Sequence, residues 1–260
     1  MPDANAVWAA VSGVTLGEAW LRRDHPKAPE LVAKYHSAVE QLERGVPFPY
    51  AVGRAGFRSL DLLCDPRALI PRPETEGLVD LVLRHAQGGV AADIGTGSGC
   101  LALALATEGS FDRVIAVERS PEAAALAREN VALVRPRTPV EIRVGDLLAP
   151  LSGLRFRAIV ANPPYLTEDE YAALAPSVRE FEPRDALVSG PDGLAASRAL
   201  LQGGAALLEP GGVLALEIDE RRGDAIRALA HQFGWARIDV HDDLFGRPRY
   251  ALAFAHPREA

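Results

Sequence analysis

The sequence has 260 residues, of which 48% are hydrophobic and 24% charged, a balance typical of globular proteins rather than disordered ones. Its net charge is -7, whereas proteins that bind nucleic acid through its phosphates usually carry an excess of basic residues. We therefore expect no direct nucleic-acid partner. No basic stretch followed by an apolar core starts the chain, and no apolar run could span a bilayer, which predicts a cytoplasmic protein without a membrane partner. Cys64 and Cys100 lie in apolar runs and predict buried reduced thiols and no metal site.

The first 45 residues carry apolar side chains at helical spacing, in two stretches that residues 25–29 separate. This pattern predicts a small N-terminal helical domain. The Gly- and Pro-containing residues 45–50 end the helical pattern and predict a linker.

A short β-structured region is predicted next. Residues 56–64 alternate like a strand, and with residues 68–70 beyond a turn they favour a hairpin. A helix is predicted over residues 77–85, with Glu74 or Thr75 as its cap.

Strands and helices alternate from residue 89 onward, which predicts an α/β fold with a doubly wound, mostly parallel sheet. The connection between the last two strands is too short for a helical crossover, so the last strand should be antiparallel. The predicted strands are 90–93, 113–118, 140–144, 156–161, 212–218, 237–240 and 250–254, and the predicted helices are 100–107, 121–133, 193–208 and 221–233. The predicted units are a helical domain (1–45), a linker with a β-hairpin (46–70) and the main domain (71–260).

A glycine-rich turn follows the first strand of the main domain. Its glycines let the backbone turn sharply and approach a ligand, and free N–H groups at the following helix start favour a negative group. Glu118 ends the next strand about 20 residues later, where a carboxylate can accept hydrogen bonds from both ribose hydroxyls. Asp146 ends the third strand and either contacts an adenine amino group or is an ordinary strand-end carboxylate. The predicted cofactor-binding residues here are Asp93, Gly95, Thr96, Gly97, Ser98, Gly99, Glu118 and Asp146.

Two nucleotide cofactors fit such a turn. A dinucleotide needs the spacing G-x-G-x-x-G to hold its pyrophosphate, and this chain has the shorter G-x-G-x-G at residues 95–99. S-adenosylmethionine carries no phosphate, and its methionine end offers a carboxylate and an ammonium group that Asp93 can attract. The spacing therefore favours S-adenosylmethionine.

The tetrapeptide Asn-Pro-Pro-Tyr at residues 162–165 follows the fourth strand, near the predicted switch point of the sheet. Its two prolines fix φ, and the first of them drives Asn162 to an extended conformation. A planar amide or aryl amine is a poor nucleophile, and acceptors placed on its two hydrogens both orient it and stabilise the charge that grows on methyl transfer. The Asn162 side-chain oxygen and the Pro163 carbonyl can accept these hydrogen bonds, while Tyr165 packs on the planar group.

The glycine turn together with residues 162–165 resembles the amino-methyltransferases, including those that act on adenine N6. Residues 69–76, Leu-Ile-Pro-Arg-Pro-Glu-Thr-Glu, narrow the resemblance to the HemK/PrmC family, which methylates the side-chain amide of the glutamine in the Gly-Gly-Gln motif of peptide chain release factors. Residues 181–183, 186–187 and 211–217 fit the same pattern. The resemblance runs from about residue 47 to the C-terminus and implies a Rossmann-like class I methyltransferase sheet.

The resemblance also implies roles for individual residues. The product would be S-adenosylhomocysteine, and the protein partner a release factor. Family members often have Asp where this chain has Glu118, and some have an aromatic residue at the position of Leu147. The implied cofactor-lining residues are Gly95 to Gly99, Glu118, Leu147 and Asn162. The implied binding residues for the target glutamine are Asn162, Pro163, Pro164 and Tyr165. Of these four, Asn162, Pro163 and Tyr165 are the implied catalytic residues.

Three alternatives to this function stay open at the level of sequence. A sister group that acts on a ribosomal-protein glutamine is similar, but usually has Pro-Arg-Ser-Pro where this chain has Pro-Arg-Pro-Glu. A methyltransferase for the exocyclic amine of a nucleic-acid base would share the tetrapeptide, but would want a basic surface. A catalytically silent binding subunit would share the fold, yet Glu118, Asn162 and Tyr165 are all intact.

Overall fold

A computed structural model of the protein describes residues 3–257. Its helices are α1 (Ala4–Ser12), α2 (Leu16–Leu21), α3 (Pro29–Glu43), α4 (Phe48–Val52), α5 (Pro73–His85), α6 (Cys100–Glu108), α7 (Pro121–Val134), α8 (Glu168–Ala172), α9 (Pro176–Arg179), α10 (Ala195–Gly204) and α11 (Gly223–Gln232). Its strands are β1 (Arg54–Phe57), β2 (Leu60–Leu63), β3 (Val90–Ile94), β4 (Arg113–Glu118), β5 (Val140–Val144), β6 (Phe156–Ala161), β7 (Leu208–Glu217), β8 (Arg237–Asp242) and β9 (Pro248–Phe254).

Four helices form the N-terminal part. The first helical stretch is two helices, because Gly13 ends α1 in a left-handed conformation and a Thr15–Glu18 capping box starts α2. Helix α3 packs on α1, where the rings of Trp8 and Tyr35 lie 5.8 Å apart, and it also packs on α4. Helix α4 corrects the prediction of a linker over residues 45–50, since Pro49 lies in the first turn of a helix, where its missing N–H costs nothing. The domain boundaries near residues 45 and 70 stay predictions.

The predicted hairpin has a different register from the one expected. Residues 56–64 are not one strand: the chain turns at Arg58, whose φ is 52°, and β1 pairs with β2, whereas residues 68–70 form no strand. The Arg58 guanidinium holds this turn on the main domain through ion pairs with Glu108 at 2.7 Å and Asp80 at 2.8 Å. Helix α5 begins at Pro73, four residues earlier than predicted, and neither predicted cap forms.

The seven-stranded sheet has the order β5-β4-β3-β6-β7-β9-β8, and β9 runs in the direction opposite to the other six strands. This confirms the predicted α/β sheet, mostly parallel with an antiparallel last strand. Alternate side chains of each buried strand point to opposite faces. On one face they pack against α5 and α6, and on the other against α10 and α11.

The chain reverses direction across the sheet between β3 and β6. It runs outward from β3 through β4 to β5, and then returns to place β6 on the other side of β3. Ligands of such sheets bind outside the carboxyl ends of the strands at this switch point. The fold therefore brings together the turns that follow β3, β4, β5 and β6. Within residues 3–257, no helix is long and apolar enough to cross a membrane.

Three further local differences separate the structure from the predicted elements. Helix α10 is shorter than the predicted helix 193–208, because residues 205–207 form a 3-10 turn before β7. Helices α8 and α9 were not predicted. Both are short and lie in the segment that connects the Asn-Pro-Pro-Tyr turn to the rest of the chain.

Close packing at Gly77 in α5 gives a test of this arrangement. A Cβ at Gly77 would lie 2.4 Å from the Tyr250 hydroxyl, which donates a hydrogen bond to the Glu74 carbonyl. Glycine to alanine inside a helix ordinarily stabilises by up to about 1 kcal/mol. We expect Gly77→Ala to lower the free energy of unfolding by about 1–3 kcal/mol instead, as overpacked cores do, measured by urea denaturation.

Gly56→Ala in β1 is the matched control, because a Cβ there meets nothing within 4 Å. This variant should keep or slightly raise the wild-type stability. Equal unfolding midpoints for the two variants would contradict the packing of α5 against β9.

Candidate active site

A cavity of about 1320 Å³ opens at the carboxyl edge of the sheet, beside the switch point. Small-molecule sites usually measure about 300–1,000 Å³, so this cavity has room for a cofactor and part of a second substrate. Of the residues predicted for the site, those that line the cavity are Gly95, Thr96, Gly97, Ser98, Glu118, Asp146, Leu147, Asn162 and Pro164. The predicted residues outside its lining are Asp93, Gly99, Pro163 and Tyr165.

The glycine turn owes its shape to left-handed backbone angles. Gly95, Gly97 and Gly99 have φ values of 73°, 55° and 87°, which other residues adopt only with strain. The Gly95 and Thr96 N–H groups donate to the carbonyl of Val117 on β4, which fixes the turn against the neighbouring strand. Gly95 and Gly97 therefore bring bare backbone to the cavity, and Gly99 packs behind them against α7.

Asp93 lies behind the turn with no exposed surface. Its Oδ2 accepts hydrogen bonds from the Thr96 hydroxyl at 2.6 Å and from the Ala102 N–H at 3.0 Å, so it ties β3 to the start of α6. Its Oδ1 is buried and has no hydrogen-bond partner among residues 3–257. Burial raises the pKa of Asp93 to about 7, and these hydrogen bonds offset it only in part. A cationic group bound nearby would stabilise the ionised form.

Glu118 at the end of β4 uses both carboxylate oxygens in local hydrogen bonds. Oε2 accepts from the Gly97 N–H and Oε1 from the Ser120 N–H, each at 2.9 Å. Each carboxylate oxygen has a second lone pair, so the side chain keeps acceptors for two hydroxyl groups. Glu118 thus shapes the glycine turn and also faces the cavity.

Asp146 and Leu147 follow β5 on the same side of the cavity. Leu147 has φ 44°, a conformation that costs a residue with a Cβ on the order of 1 kcal/mol or more. The strained backbone places an aliphatic side chain on the cavity wall. An apolar wall of this kind suits the flat face of a base.

A chain of two hydrogen bonds connects Asn162, after β6, through Thr75 in α5 to Glu217 at the end of β7. The Asn162 Nδ2 donates to Thr75 Oγ1 at 3.0 Å, and Thr75 Oγ1 donates to Glu217 Oε2 at 2.6 Å. Thr75 and Glu217 are both 2% exposed. Burial raises the pKa of Glu217 to about 7; Glu74 acts in the same direction, whereas the Thr75 hydroxyl and the Arg249 and Arg72 guanidinium groups oppose it.

The rest of the tetrapeptide is fixed by contacts on the side away from the cavity. Pro163 is buried, whereas Pro164 reaches the cavity. The Tyr165 N–H donates to the Leu187 carbonyl at 3.2 Å, and burial raises the pKa of the Tyr165 phenol to about 12. A Cβ at Gly193 would lie 2.4 Å from the Tyr165 carbonyl oxygen, so this position requires glycine. The roles of Pro163 and Tyr165 toward a target amide stay predictions.

Two structural residues of the site were given no role from the sequence. Glu182, almost fully buried, accepts hydrogen bonds from the Ile70 N–H and the Arg72 guanidinium and so ties residues 70–72 to the far wall. Buried Asn130 joins the Leu63 backbone to the Ser98 carbonyl. The family-like pattern at residues 181–183 includes Glu182 but does not indicate its contacts. An asparagine inside a helix, such as Asn130, gives no indication of a structural role.

Cys64 is buried as predicted, whereas Cys100 lies on the cavity wall, and both are unpaired. Burial raises the pKa of each thiol to about 12, so neither is a reactive thiolate at neutral pH. Within residues 3–257, no group of three or more His, Cys, Asp or Glu side chains is placed to hold a metal ion.

Known proteins resemble this chain in sequence and in fold. A family model described as a methyltransferase small domain matches residues 75–178. The release factor glutamine methyltransferase of Moorella thermoacetica is 42% identical over 90% of this chain and 83% of its own length. The release factor glutamine methyltransferase of Deinococcus radiodurans is 39% identical over 96% of this chain and 90% of its own length. The crystal structure of a methyltransferase from Pyrococcus furiosus matches with a TM-score of 0.59 and 23% identity over 78% of this chain and 91% of that chain. The likeness in fold confirms a Rossmann-like class I methyltransferase sheet.

The raised pKa of Glu217 predicts a pH-dependent stability. Because the folded state holds this proton up to about pH 7 and the unfolded state releases it near the ordinary value of 4.5, the contribution of Glu217 to stability falls as pH rises between them. We expect wild type to lose about 2–3 kcal/mol of unfolding free energy relative to Glu217→Gln between pH 5 and pH 8.

Comparison with the variant isolates Glu217, because Asp93 titrates in both proteins. Denaturant unfolding of both at several pH values measures the difference. Parallel curves across this range would contradict the buried, proton-binding carboxyl.

Proposed function

This chain belongs to the release factor glutamine methyltransferase family, and from that premise we propose that it methylates the side-chain amide nitrogen of the Gly-Gly-Gln glutamine in peptide chain release factors. The observation that carries the proposal is the position of Asn162. Its side chain lines the same cavity as the glycine turn and Glu118, at the switch point of the sheet. We place this activity in the cytoplasm.

S-adenosylmethionine, the proposed cofactor, supplies a methyl group on a sulfonium and leaves as S-adenosylhomocysteine. The residues present fit this molecule. Asp93 keeps a buried, unpartnered carboxylate oxygen behind the turn, which suits the ammonium of the methionine end. Glu118 keeps free lone pairs for two ribose hydroxyls, and Asp146 and Leu147 line the wall available to the base. No phosphate-binding spacing is present in the turn.

The target amide needs orientation more than deprotonation. Its nitrogen lone pair is delocalised into the carbonyl, so the nitrogen becomes nucleophilic only as that conjugation is lost. Acceptors on its two N–H bonds hold the nitrogen in line and stabilise the positive charge that develops on it. We assign this role to the Asn162 Oδ1 and the Pro163 carbonyl oxygen, with Pro164 and Tyr165 around the planar group. On transfer, the N–C bond would form as the S–C bond of bound S-adenosylmethionine breaks, and one amide proton would go to solvent.

The stiffness of the turn supports this assignment. Pro163 and Pro164 fix two φ angles and remove two N–H donors. The hydrogen bond from Tyr165 to Leu187 and the close packing of Gly193 on the Tyr165 carbonyl hold the turn from its other side. A rigid acceptor pair requires no reorganisation when charge develops, which is the condition for effective electrostatic stabilisation.

A methylation assay with three candidate substrates distinguishes this proposal from its alternatives. Purified protein with labelled S-adenosylmethionine is offered a release factor, ribosomal proteins and duplex DNA in parallel, and peptide fragmentation locates the label. We expect label on the Gly-Gly-Gln glutamine alone, and none on a release factor whose glutamine is replaced by alanine. Label on a ribosomal-protein glutamine or on DNA, with none on the release factor, would overturn the proposal.

The variant Asn162→Ala tests the role of the acceptor in the same assay. We expect its kcat to fall on the order of 10²–10³-fold, as on loss of one preorganised partner of the developing charge, while the Kd for S-adenosylmethionine changes little. An unchanged kcat would remove Asn162 from the mechanism.

A further inference from the structure

We propose that Thr75 and Glu217 are positioning residues that fix which end of the Asn162 amide faces the reacting groups. The inference rests on the proposed function, because it concerns the acceptor assigned there. It goes beyond that function in assigning a role to two side chains outside the Asn-Pro-Pro-Tyr turn. Thr75 lies in the first turn of α5, and Glu217 ends β7.

An asparagine amide is nearly symmetric in shape but not in chemistry. One end accepts hydrogen bonds and the other donates two, and a rotation of about 180° exchanges them. Only the orientation with Oδ1 toward the target can accept an N–H from a glutamine amide. Something must therefore select between two orientations that fill the same space.

The direction of the hydrogen-bond chain makes this selection. Once Glu217 is ionised, above its raised pKa of about 7, its carboxylate only accepts, so the single Thr75 hydroxyl proton points to Glu217, with Oγ1 and Oε2 2.6 Å apart. The Thr75 oxygen is then left with lone pairs alone toward Asn162. It can accept from Nδ2, at 3.0 Å, but has no proton to give to Oδ1. Nδ2 is held on Thr75, and Oδ1 is left for the cavity that Asn162 lines.

Burial gives this selection its strength. Thr75 and Glu217 are each only 2% exposed, so water cannot readily replace a lost partner. A buried polar group without a partner costs about 1–3 kcal/mol, and a charged one more. Rotation of the Asn162 amide would leave its Oδ1 facing a lone pair, with the Thr75 hydroxyl already committed to Glu217.

Thr75 itself is fixed by its surroundings. The start of α5 is tied down on one side by the ion pair of Arg72 with buried Glu182. On the other side, the Tyr250 hydroxyl donates to the Glu74 carbonyl, and Tyr250 pairs with Glu217 across β7 and β9. The hydroxyl is thus held at a set position relative to β7 and to the turn after β6.

Kinetics of Thr75→Val tests the inference. Valine keeps the shape and removes the hydroxyl, so we expect kcat for release factor methylation to fall roughly 10–100-fold, the scale of a misplaced catalytic group, with KM for S-adenosylmethionine nearly unchanged. Thr75→Ser restores the hydroxyl and should recover most of the kcat. Thr138→Val, the matched control, removes a hydroxyl bonded to the Phe111 carbonyl before β5, outside the cavity lining, and should keep the wild-type kcat.

A spectroscopic measurement needs no turnover. In ¹⁵N-labelled protein, the side-chain N–H₂ signals of Asn162 are identified by their loss in Asn162→Asp. We expect them to shift and to exchange faster with solvent in Thr75→Val, and to return toward wild type in Thr75→Ser. Unchanged Asn162 signals in Thr75→Val, or an unchanged kcat, would overturn the inference.

These outcomes separate the inference from the function. If wild type methylates the release factor and Asn162→Ala does not, while Thr75→Val is fully active, the positioning role alone fails. If wild type does not methylate the release factor, the proposed function fails, and the Asn162 signals still decide whether Thr75 orients the amide.

Discussion

The hydrogen bond from the Asn162 amide to Thr75 joins the turn after β6 to the helix in front of β3, and the proposed chemistry depends on it. It is effective because the next link in the chain is the buried Glu217, whose ionised carboxylate accepts a hydrogen bond from the only hydroxyl proton of Thr75. Because the Nδ2 end of the Asn162 amide donates to Thr75, the Oδ1 end is left as the acceptor. Methyl transfer to a weak nucleophile needs such a fixed acceptor, since most of the catalysis lies in positioning.

The sheet topology makes this chain of contacts possible. Thr75 and Asn162 are 87 residues apart, and Thr75 and Glu217 are 142 apart. They meet because β6 and β7 are neighbours that both end at the edge where the chain reverses. On the other side of that reversal, β3 and β4 supply the glycine turn and Glu118. The residues that we propose for the cofactor and for the target thus lie on two halves of one sheet.

Much of this could be predicted from the sequence. The glycine turn, Glu118 and residues 162–165 each lie at the carboxyl end of a strand with a strong apolar pattern, so their meeting at one edge follows from the parallel order. The hairpin register, the start of α5 and helices α8 and α9 could not be predicted, because a left-handed turn at Arg58 and helices of four or five residues depend on tertiary contacts. Thr75 was expected to cap a helix. Its role as the link between Asn162 and Glu217 rests on a contact that no local pattern encodes.

A crystal structure of the protein with S-adenosylhomocysteine and a peptide containing the Gly-Gly-Gln motif most directly tests the orientation of the Asn162 amide. The measured quantity is which atom of the Asn162 amide lies next to the target nitrogen, with the hydrogen-bond partners of the other atom as the check. We predict Oδ1 within hydrogen-bond distance of the glutamine nitrogen and Nδ2 on Thr75. A target nitrogen bound elsewhere in the cavity, or facing Nδ2, would contradict the account.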